Sequence, residues 1–410
     1  MTGKRPPSPG LIPNPFIKKR NLEWSLDSTS PSKSRPPTTA EIESGSATVD
    51  DHLSHFKSHL SKRIISPTAV SISRYASLYT ANAGSLQGAH FVIHQHDHPV
   101  AGTHYDLRLQ INETSSVSWA IMYGLPGDPN STRLNRNATE TRIHCLWNHL
   151  IETASNSTGS LLIWDTGTYS ILPRKSKHSP SEDPSSPPSS PASSSTSTPQ
   201  ALLHEAFQAR KIRIRLHGSR LPETYVLDLR LTKPEDIACR GKSGRTPRKR
   251  RSSRTRTQTH PGASDEGENE FDGSEDVPAS ADVDANAGSL SAMEREIREL
   301  EDEEVRKTNA YPGASNTIGS IHQRRWYVSL DRLACGFFEK RTKGRSVWEP
   351  EDSTRTENQE LENVCLSYPF YVRGSDHERS VVTGRRGADI LQDEGVEHFV
   401  QRKGWKPVLN

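Results

Sequence analysis

The chain has 410 residues, of which only 31% are hydrophobic, and it carries a net charge of +3 at neutral pH. Average globular chains contain about 45–50% apolar residues, so much of this chain is expected to lie outside a packed core. A net charge this close to zero excludes binding to nucleic acid through a global positive field and leaves that task to local basic clusters.

Two further classes of protein are excluded by simple patterns. No run of 18 apolar residues occurs, and the first residues, MTGKRPPSPG, contain no apolar signal region, so we expect neither a membrane span nor secretion. The four cysteines are far apart and form no CxxC pair, which argues against a disulfide framework and against a cysteine zinc site. A reducing compartment fits this composition best.

Composition also divides the chain into ordered and disordered parts. Residues 1–66, 174–200 and 235–320 are rich in proline, serine or charge and lack apolar periodicity. They are predicted to be a disordered N-terminal tail, a disordered Ser/Pro insert and a disordered basic-to-acidic linker. The remaining sequence predicts one domain over 67–234, interrupted by the insert, and a C-terminal segment over 321–410 that packs on it.

Short alternating apolar segments dominate the ordered parts, and seven of them are predicted to be strands. They are Phe91–Ile93, Tyr105–Leu109, Val117–Met122, Leu161–Trp164, Ile212–Leu216, Tyr225–Leu229 and Trp326–Leu330. The fold is therefore predicted to be mainly β: a small antiparallel β-barrel with a few short helices and long disordered insertions. The clearest helical spacing, in Ser291–Lys307, predicts a marginal, solvated helix.

Histidines are concentrated in one short stretch of the chain. Seven of the 17 fall between residues 90 and 149, where an even distribution would place two or three. They are His90, His94, His96, His98, His104, His144 and His149. Such a concentration of imidazoles indicates either a metal site or a catalytic site.

The strand around Tyr105 shows the chemistry most clearly. Side chains of a strand alternate between its faces, so His104, Asp106 and Arg108 share one face, opposite an apolar one. A solvated Asp–Arg pair is the simplest interpretation of this polar face. If the face is buried, it has to be paired internally or bind a metal ion and an anion, because burying it unpartnered would cost on the order of several kcal/mol.

The neighbouring histidines favour the metal interpretation. Two neutral imidazoles and one carboxylate, with positions left open, suit a divalent ion such as Mn²⁺, Fe²⁺ or Zn²⁺. An arginine on the same face adds bidentate recognition of phosphate. The combination indicates phosphoester hydrolysis, with a non-haem Fe(II) oxygenase as the alternative enzyme class, since it uses the same donor types.

The sequence around these residues resembles the 3′-phosphoesterase domain family of bacterial DNA ligase D and its stand-alone relatives. The resemblance runs from about residue 90 to 232 without the Ser/Pro insert, and it is specific because several motifs occur in the same order. The matching segments are FVIHQHD (91–97), HYDLRL (104–109), SWA (118–120), GLP (124–126), NHL (148–150), IWDTGTY (163–169), KIRIRLHGSRL (211–221) and YVLDLR (225–230).

The resemblance implies an activity and a cofactor. A member of this family is a small β-barrel that holds one Mn²⁺ and trims DNA 3′ ends during repair. It removes 3′-phosphates and 3′-terminal ribonucleotides and leaves a 3′-hydroxyl. The expected partners are therefore DNA 3′ ends and a separate DNA ligase or polymerase, since no ligase or polymerase motif occurs in this chain. The protein is expected to be a monomer.

The resemblance also implies the site residues by position. The implied metal ligands are His96, Asp106 and His149. The implied catalytic groups are His104, at the scissile phosphate, and two phosphate clamps, Arg108 and Arg142.

Departures from the family pattern leave alternatives open. The family's ligand spacing selects His98 as the first ligand, whereas the local sequence selects His96. His144 is the alternative to His149 as third ligand, because Thr153 stands where the family has a functional tyrosine after that ligand. Without this tyrosine, we expect weaker turnover or a narrower substrate range. A catalytically silent module that binds DNA ends is the alternative outside the enzymes.

A dense basic run, Arg248–Arg251, lies in the predicted linker. It has the composition of a nuclear import signal or of a nonspecific DNA tether, both of which need only exposed charge. A nuclear location is therefore expected.

Overall fold

The computed structural model describes residues 37–43, 47–173, 197–235, 303–342, 345–351 and 365–410. The chain divides into two compact units, residues 1–38 and 39–410, and every helix and strand of the described ranges belongs to the second unit. None of the helices in these ranges has the length and apolar character needed to cross a bilayer.

The architecture is built from antiparallel strands. The described strands are β1 (His90–His98), β2 (Gly102–Gln110), β3 (Ser115–Met122), β4 (Arg136–Glu140), β5 (His144–Cys145), β6 (Thr153–Ser155), β7 (Gly159–Ile171), β8 (Lys211–His217), β9 (Val226–Leu231), β10 (Arg325–Leu330), β11 (Phe337–Thr342) and β12 (Arg345–Pro350). The first ten form one sheet in the order β1-β2-β3-β4-β10-β9-β8-β7-β6, with β5 paired to β3. Strands β11 and β12 form a separate hairpin.

The sheet closes on itself. Strand β7 pairs with β1 as well as with β8, so eight of the strands form a ring. Closure satisfies the hydrogen bonds that an open edge would leave exposed. The prediction of a mainly β, antiparallel barrel is confirmed, and each of the seven predicted strands is present.

Helices flank the ring of strands. They are α1 (Thr39–Glu43), α2 (His52–Ser61), α3 (Ile72–Asn82), α4 (Pro199–Gln208), α5 (Glu303–Thr308) and α6 (Gly387–Asp393), with a 3₁₀ helix at Leu146–Leu150. Helix α2 begins after Asp51, whose carboxylate accepts the backbone N–H of Ser54. Helix α3 begins in the same way after Ser71. Each cap satisfies an N–H group that the first turn leaves free.

Helices α1 and α2 correct the prediction that all of residues 1–66 are disordered. Phe56 and Leu60, one turn apart on α2, are fully buried, as is Ile42 of α1. They pack with Val92 and Ile163, on strands β1 and β7. The composition of the tail does not predict these helices, because it contains few apolar residues. Those residues are buried only through their contacts with the sheet.

The predicted linker is corrected in the same way at its C-terminal end. Residues 303–320 include α5 and the buried Ala310 and Ile318. The predicted insert 174–200 is corrected at its end, where α4 begins at Pro199, and the remaining disorder predictions fall on residues 1–36, 44–46, 174–196 and 236–302, outside the described ranges. Of the predicted helix Ser291–Lys307, only the last turns, in α5, lie within them.

The C-terminal segment supplies part of the ring itself. Strand β10 lies between β4 and β9 and pairs with both. Farther along, the fully buried guanidinium of Arg385 donates to Glu152 and Asp393, at 2.8 Å in each case. This network ties the C-terminal segment to the stretch that follows the 3₁₀ helix, close to the histidine-rich strands.

Candidate metal and phosphate site

Antiparallel pairing collects polar side chains on one face of β1, β2 and β3. The relevant cross-strand pairs are His96–His104, His94–Asp106 and Arg108–Ser118. Residues that pair directly across two strands point to the same face of the sheet. The intervening residues, such as Ile93 and Leu107, point to the other face and belong to the larger hydrophobic core. One face of these strands therefore packs, and the other carries the ionisable groups.

Three of these groups form a compact set of possible metal ligands. His96 Nδ1 lies 3.6 Å from Asp106 Oδ2, and His104 Nε2 lies 3.5 Å from Asp106 Oδ1. One donor atom from each residue lies within 4.8 Å of the other two, and within the described ranges no other group of three histidine, cysteine or acidic donors does so. The set of two imidazoles and one carboxylate suits a first-row divalent ion.

The other nitrogen of each imidazole is held by the backbone. His96 Nε2 donates to the carbonyl of Thr158 at 2.7 Å, and His104 Nδ1 donates to the carbonyl of Gly102 at 2.8 Å. These bonds fix both rings and leave the nitrogen that faces Asp106 unprotonated in the neutral imidazole. Metal-binding histidines are commonly oriented in this way.

The charges of the site agree with this assignment. Burial alone would raise the pKa of Asp106, but His104, His96 and Arg108 together hold it well below its usual range. Burial lowers the pKa of His104, and the charge of Asp106 offsets this only in part. Burial lowers the pKa of His96, but the Asp106 carboxylate, 3.6 Å from its Nδ1, outweighs burial and raises it. Near neutral pH the site therefore holds an ionised Asp106 beside a neutral His104, whereas at His96 a metal ion would compete with a proton.

Arg108 brings an anion-binding group next to the carboxylate. Its Nη2 lies 3.3 Å from Asp106 Oδ2, whereas its Nε and Nη1 are buried and have no hydrogen-bond partner among the residues that the structure describes. The side chain of Arg108 is only 4% exposed. Unpaired guanidinium nitrogens are costly to bury, so their presence indicates a ligand with hydrogen-bond acceptors, as a phosphate has.

A second group of imidazoles lies around Arg108. His94 Nδ1, His144 Nδ1 and His149 Nε2 are buried, and within the described part of the chain they have no hydrogen-bond partner. Burial lowers the pKa of each of these histidines well below its usual range, and the charge of Arg108 acts in the same direction. They are neutral near pH 7, with a nitrogen free for a ligand.

The predicted ligands are only partly brought together. His96 and Asp106 lie in the compact set, and its third member is His104, which the sequence predicts as the catalytic histidine. His149 lies outside the set, and its Nδ1 is hydrogen-bonded to His90 Nδ1 at 2.6 Å. Its unpaired Nε2 keeps the prediction of a third ligand open.

The alternative first ligand, His98, has another task. Its Nδ1 accepts the backbone N–H groups of Val100 and Ala101 in the turn between β1 and β2. Burial, with the charge of His96, lowers the pKa of His98 to about 4. The compact set does not include His98, so the arrangement favours His96 as the first ligand.

Two more predicted features can be placed. The guanidinium carbon of Arg142 lies 5.7 Å from the centre of the Tyr311 ring. Thr153, which stands where the family has its tyrosine, shares a 3.0 Å hydrogen bond between hydroxyls with Thr39 of α1. The role of Arg142 as a phosphate clamp stays a prediction.

Sequence reasoning missed one acidic residue near the site. Glu43, the last residue of α1, has its pKa raised by burial, against the lowering effect of the His96 and Arg108 charges. It therefore brings a second carboxyl group into the neighbourhood of Asp106. No sequence signal could have found it, because Glu43 lies in a segment whose composition predicts disorder.

Replacing His149 by alanine is expected to weaken Mn²⁺ binding by about 10-fold or more, because it removes the one unpaired nitrogen of a predicted ligand. Isothermal titration of the metal-free protein with Mn²⁺ measures the change. His144→Ala is the matched variant, since it removes another imidazole with an unpaired buried nitrogen. If His144→Ala weakens binding and His149→Ala does not, His144 is the third ligand.

Comparison with known proteins supports the chemistry of this site. Residues 94–229 match the family model described as the DNA ligase D 3′-phosphoesterase domain. The match begins within β1, ends within β9 and includes every predicted site residue. It confirms the resemblance found in the sequence. No curated protein matches the chain.

Proposed function

We propose that this protein is a metal-dependent phosphoesterase that processes DNA 3′ ends. It removes a 3′-phosphate or a 3′-terminal ribonucleotide and leaves a 3′-hydroxyl for repair. The main support is the compact set of His96, His104 and Asp106, with the two unpaired nitrogens of Arg108 beside it. A metal site beside a guanidinium with two unpaired nitrogens suits a negatively charged phosphoester better than an uncharged substrate.

The donor set fits the cofactor that the family implies. His96 and Asp106 would hold a divalent ion, Mn²⁺ in our proposal, with His149 as the third ligand. The anchored rings of the site and the ionised carboxylate meet the requirements of such an ion. When bound, the ion supplies positive charge that stabilises a phosphate oxygen.

The arginines would bind and orient the substrate. Arg108 would donate from Nε and from Nη1 to phosphate oxygens; these nitrogens lie on different edges of the guanidinium, whose Nη2 is already engaged with Asp106, so they would serve separate acceptors. Arg142 would supply the second clamp. Both arginines would hold the phosphate over the polar face of β2 before any bond is broken.

His104 is placed for proton transfer. Its Nδ1–H is engaged with the carbonyl of Gly102, so only Nε2 can exchange a proton with a substrate. A proton on Nε2 makes the ring an imidazolium, which Asp106 stabilises from 3.5 Å. Because the ring is neutral near pH 7, Nε2 would first accept a proton from the attacking water and then return it to the leaving oxygen, so that the imidazolium exists only during the reaction.

The alternatives explain fewer of the observations. A non-haem Fe(II) oxygenase uses the same donor types but gives no role to the unpaired nitrogens of Arg108. A silent DNA-end-binding module accounts for Thr153 at the tyrosine position, but it needs no fixed imidazole facing a carboxylate. The family match over residues 94–229 also favours phosphoester chemistry.

We expect the purified protein to release phosphate from an oligonucleotide with a 3′-phosphate when Mn²⁺ is present. Denaturing gels detect the change in mobility, and a phosphate assay detects the product. An oligonucleotide with one 3′-terminal ribonucleotide tests the second substrate class, and one with only a 5′-phosphate is the control. Oxygen consumption without phosphate release would support the oxygenase. Tight binding of ends without any product would support the silent module.

Location and partners extend the proposal. The basic run Arg248–Arg251 lies outside the described residues, and its composition supports a nuclear import signal. A 3′-hydroxyl product would be used by a separate DNA ligase or polymerase. We propose that the protein acts on DNA ends as a monomer.

A further inference from the structure

Tyr311 is an aromatic residue outside the part of the chain that matches the family. It follows α5, in the stretch whose composition predicts a disordered linker, and its side chain is 40% exposed. An exposed aromatic ring next to a phosphate-binding site can stack on a nucleobase.

Backbone hydrogen bonds place Tyr311 beside the segment that leads to His144. The N–H of Tyr311 donates to the carbonyl of Ile143 at 3.0 Å, and the N–H of Ile143 donates to the carbonyl of Asn309 at 2.8 Å. Ile143 and Ala310 form a parallel bridge. The segment 309–311 therefore runs along 142–144.

Alternation along these two segments decides which side chains meet. Ile143 and Ala310 are buried in the larger core. Their neighbours Arg142, His144 and Tyr311 point the other way. The Tyr311 ring lies 4.9 Å from the His144 ring, centre to centre, and 5.7 Å from the guanidinium carbon of Arg142. Both contacts come from one segment, which leaves part of the ring open to solvent.

His144 connects the ring to the candidate site. Residue 144 pairs with Ser116 on β3, the strand next to β2. The unpaired Nδ1 of His144 is buried, and its ring lies in the electrostatic field of Arg108 and Asp106. Tyr311 thus borders the site, with one predicted phosphate clamp against its ring.

We propose that Tyr311 is the stacking platform for the nucleobase at the 3′ end of the substrate, an inference that rests on the proposed function. A phosphate held by Arg108 and Arg142 places the attached nucleoside at the edge of the site, where Tyr311 offers an aromatic surface. Stacking on an aromatic ring accepts any base, which suits an enzyme that processes ends of varied sequence. The Arg142 contact adds a cation over the same ring and fixes its orientation.

The test compares Tyr311→Ala with Tyr311→Phe, which keeps the ring. Tyr327→Ala on β10 is the matched control, because the exposure of Tyr327, 44%, is similar to that of Tyr311. An oligonucleotide with 2-aminopurine as its 3′-terminal nucleotide reports stacking by loss of fluorescence. We expect the wild type to quench the fluorescence, and Tyr311→Phe and Tyr327→Ala to match the wild type in quenching and affinity. Tyr311→Ala is expected to bind about 10-fold more weakly and to quench little.

Kinetics provide the second readout. Tyr311→Ala is expected to raise KM for a 3′-phosphate oligonucleotide by about 10-fold with little change in kcat. The wild type should show the same rise in KM when the terminal base is replaced by hydrogen in an abasic substrate. Tyr311→Ala should then no longer distinguish the two substrates.

The outcomes separate this inference from the proposed function. If the wild type turns over and Tyr311→Ala has the same KM and the same quenching as the wild type, the stacking role is overturned and the phosphoesterase activity stands. Absence of turnover in the wild type would overturn the phosphoesterase, and the fluorescence test would still decide the stacking role. Equal losses in Tyr311→Ala and Tyr311→Phe would also contradict stacking, since phenylalanine retains the ring.

Discussion

Replacing His104 by alanine is expected to abolish phosphate release while the protein stays folded. The imidazole Nε2 lies 3.5 Å from Asp106, on the polar face of β2, and the backbone carbonyl of Gly102 fixes the ring. Removal of a positioned proton donor costs about 10²- to 10⁴-fold in rate. The measurement is kcat on a 3′-phosphate oligonucleotide with saturating Mn²⁺, accompanied by thermal unfolding of the variant.

The same variant decides between two roles of His104. The sequence predicts a catalytic histidine, whereas the structure brings His104 into the compact donor set. If it is catalytic, the Kd for Mn²⁺ in His104→Ala stays within a few-fold of the wild type while kcat is lost. A Kd weakened by about 10-fold or more would make His104 a metal ligand. Full turnover in the variant would remove it from the mechanism.

His98→Ala is the control for this experiment. His98 is the next histidine on the same strand as His96, and its ring centre lies 5.4 Å from that of His96. It accepts two N–H groups of the turn after β1 and lies outside the compact set. We expect His98→Ala to keep both Mn²⁺ affinity and turnover, with a small loss of stability from the turn. Loss of Mn²⁺ affinity in His98→Ala would instead identify His98 as the first ligand, as the family's ligand spacing predicts.

Local pattern was enough to predict the fold class. Segments such as Tyr105–Leu109 and Ile212–Leu216 alternate strictly, and each became a strand with one face in the core. Strands β4 and β6 were not predicted. Arg136–Glu140 has a polar sequence, and Thr153–Ser155 has only three residues, so both depend on their pairing partners. Pairing between distant segments also closes the ring, which no local window can show.

The polar face of the site was predictable from one strand, and its completion was not. Alternation alone places His104, Asp106 and Arg108 together. The position of His149 depends on how the 3₁₀ helix packs, and its ring is turned by the hydrogen bond to His90. Glu43 arrives on a short helix from a segment whose composition resembles disorder. These contacts arise from tertiary packing, which composition and periodicity do not encode.

Replacing Asp106 by asparagine is expected to abolish both metal binding and turnover, with losses of about 100-fold or more in each. Asparagine has nearly the same shape, so the change removes charge and little volume. In the metal-free protein Asp106 is the negative group that faces His96, His104 and Arg108. Without it, these groups face one another with no carboxylate between them.

The variant should also change stability with pH. The pKa of Asp106 is depressed in the folded protein, so its ionised form stabilises the fold above the pKa of the unfolded chain. That contribution is lost as the pH falls through the depressed value, well below 3.8. Asp106→Asn should therefore lower the Tm of the metal-free protein at pH 7. In strong acid, the difference in Tm between the variant and the wild type should become smaller.

Asp97→Asn is the matched control for Asp106→Asn. Like Asp106, Asp97 is a buried carboxyl group, but it lies on β1. It accepts hydrogen bonds from Thr103 and Gln95, and burial raises its pKa. It lies outside the compact set, so its replacement should preserve Mn²⁺ affinity and turnover. If Asp106→Asn still binds Mn²⁺ as tightly as Asp97→Asn does, the cation is held elsewhere. The carboxylate of β2 would then serve only to orient His96, His104 and Arg108.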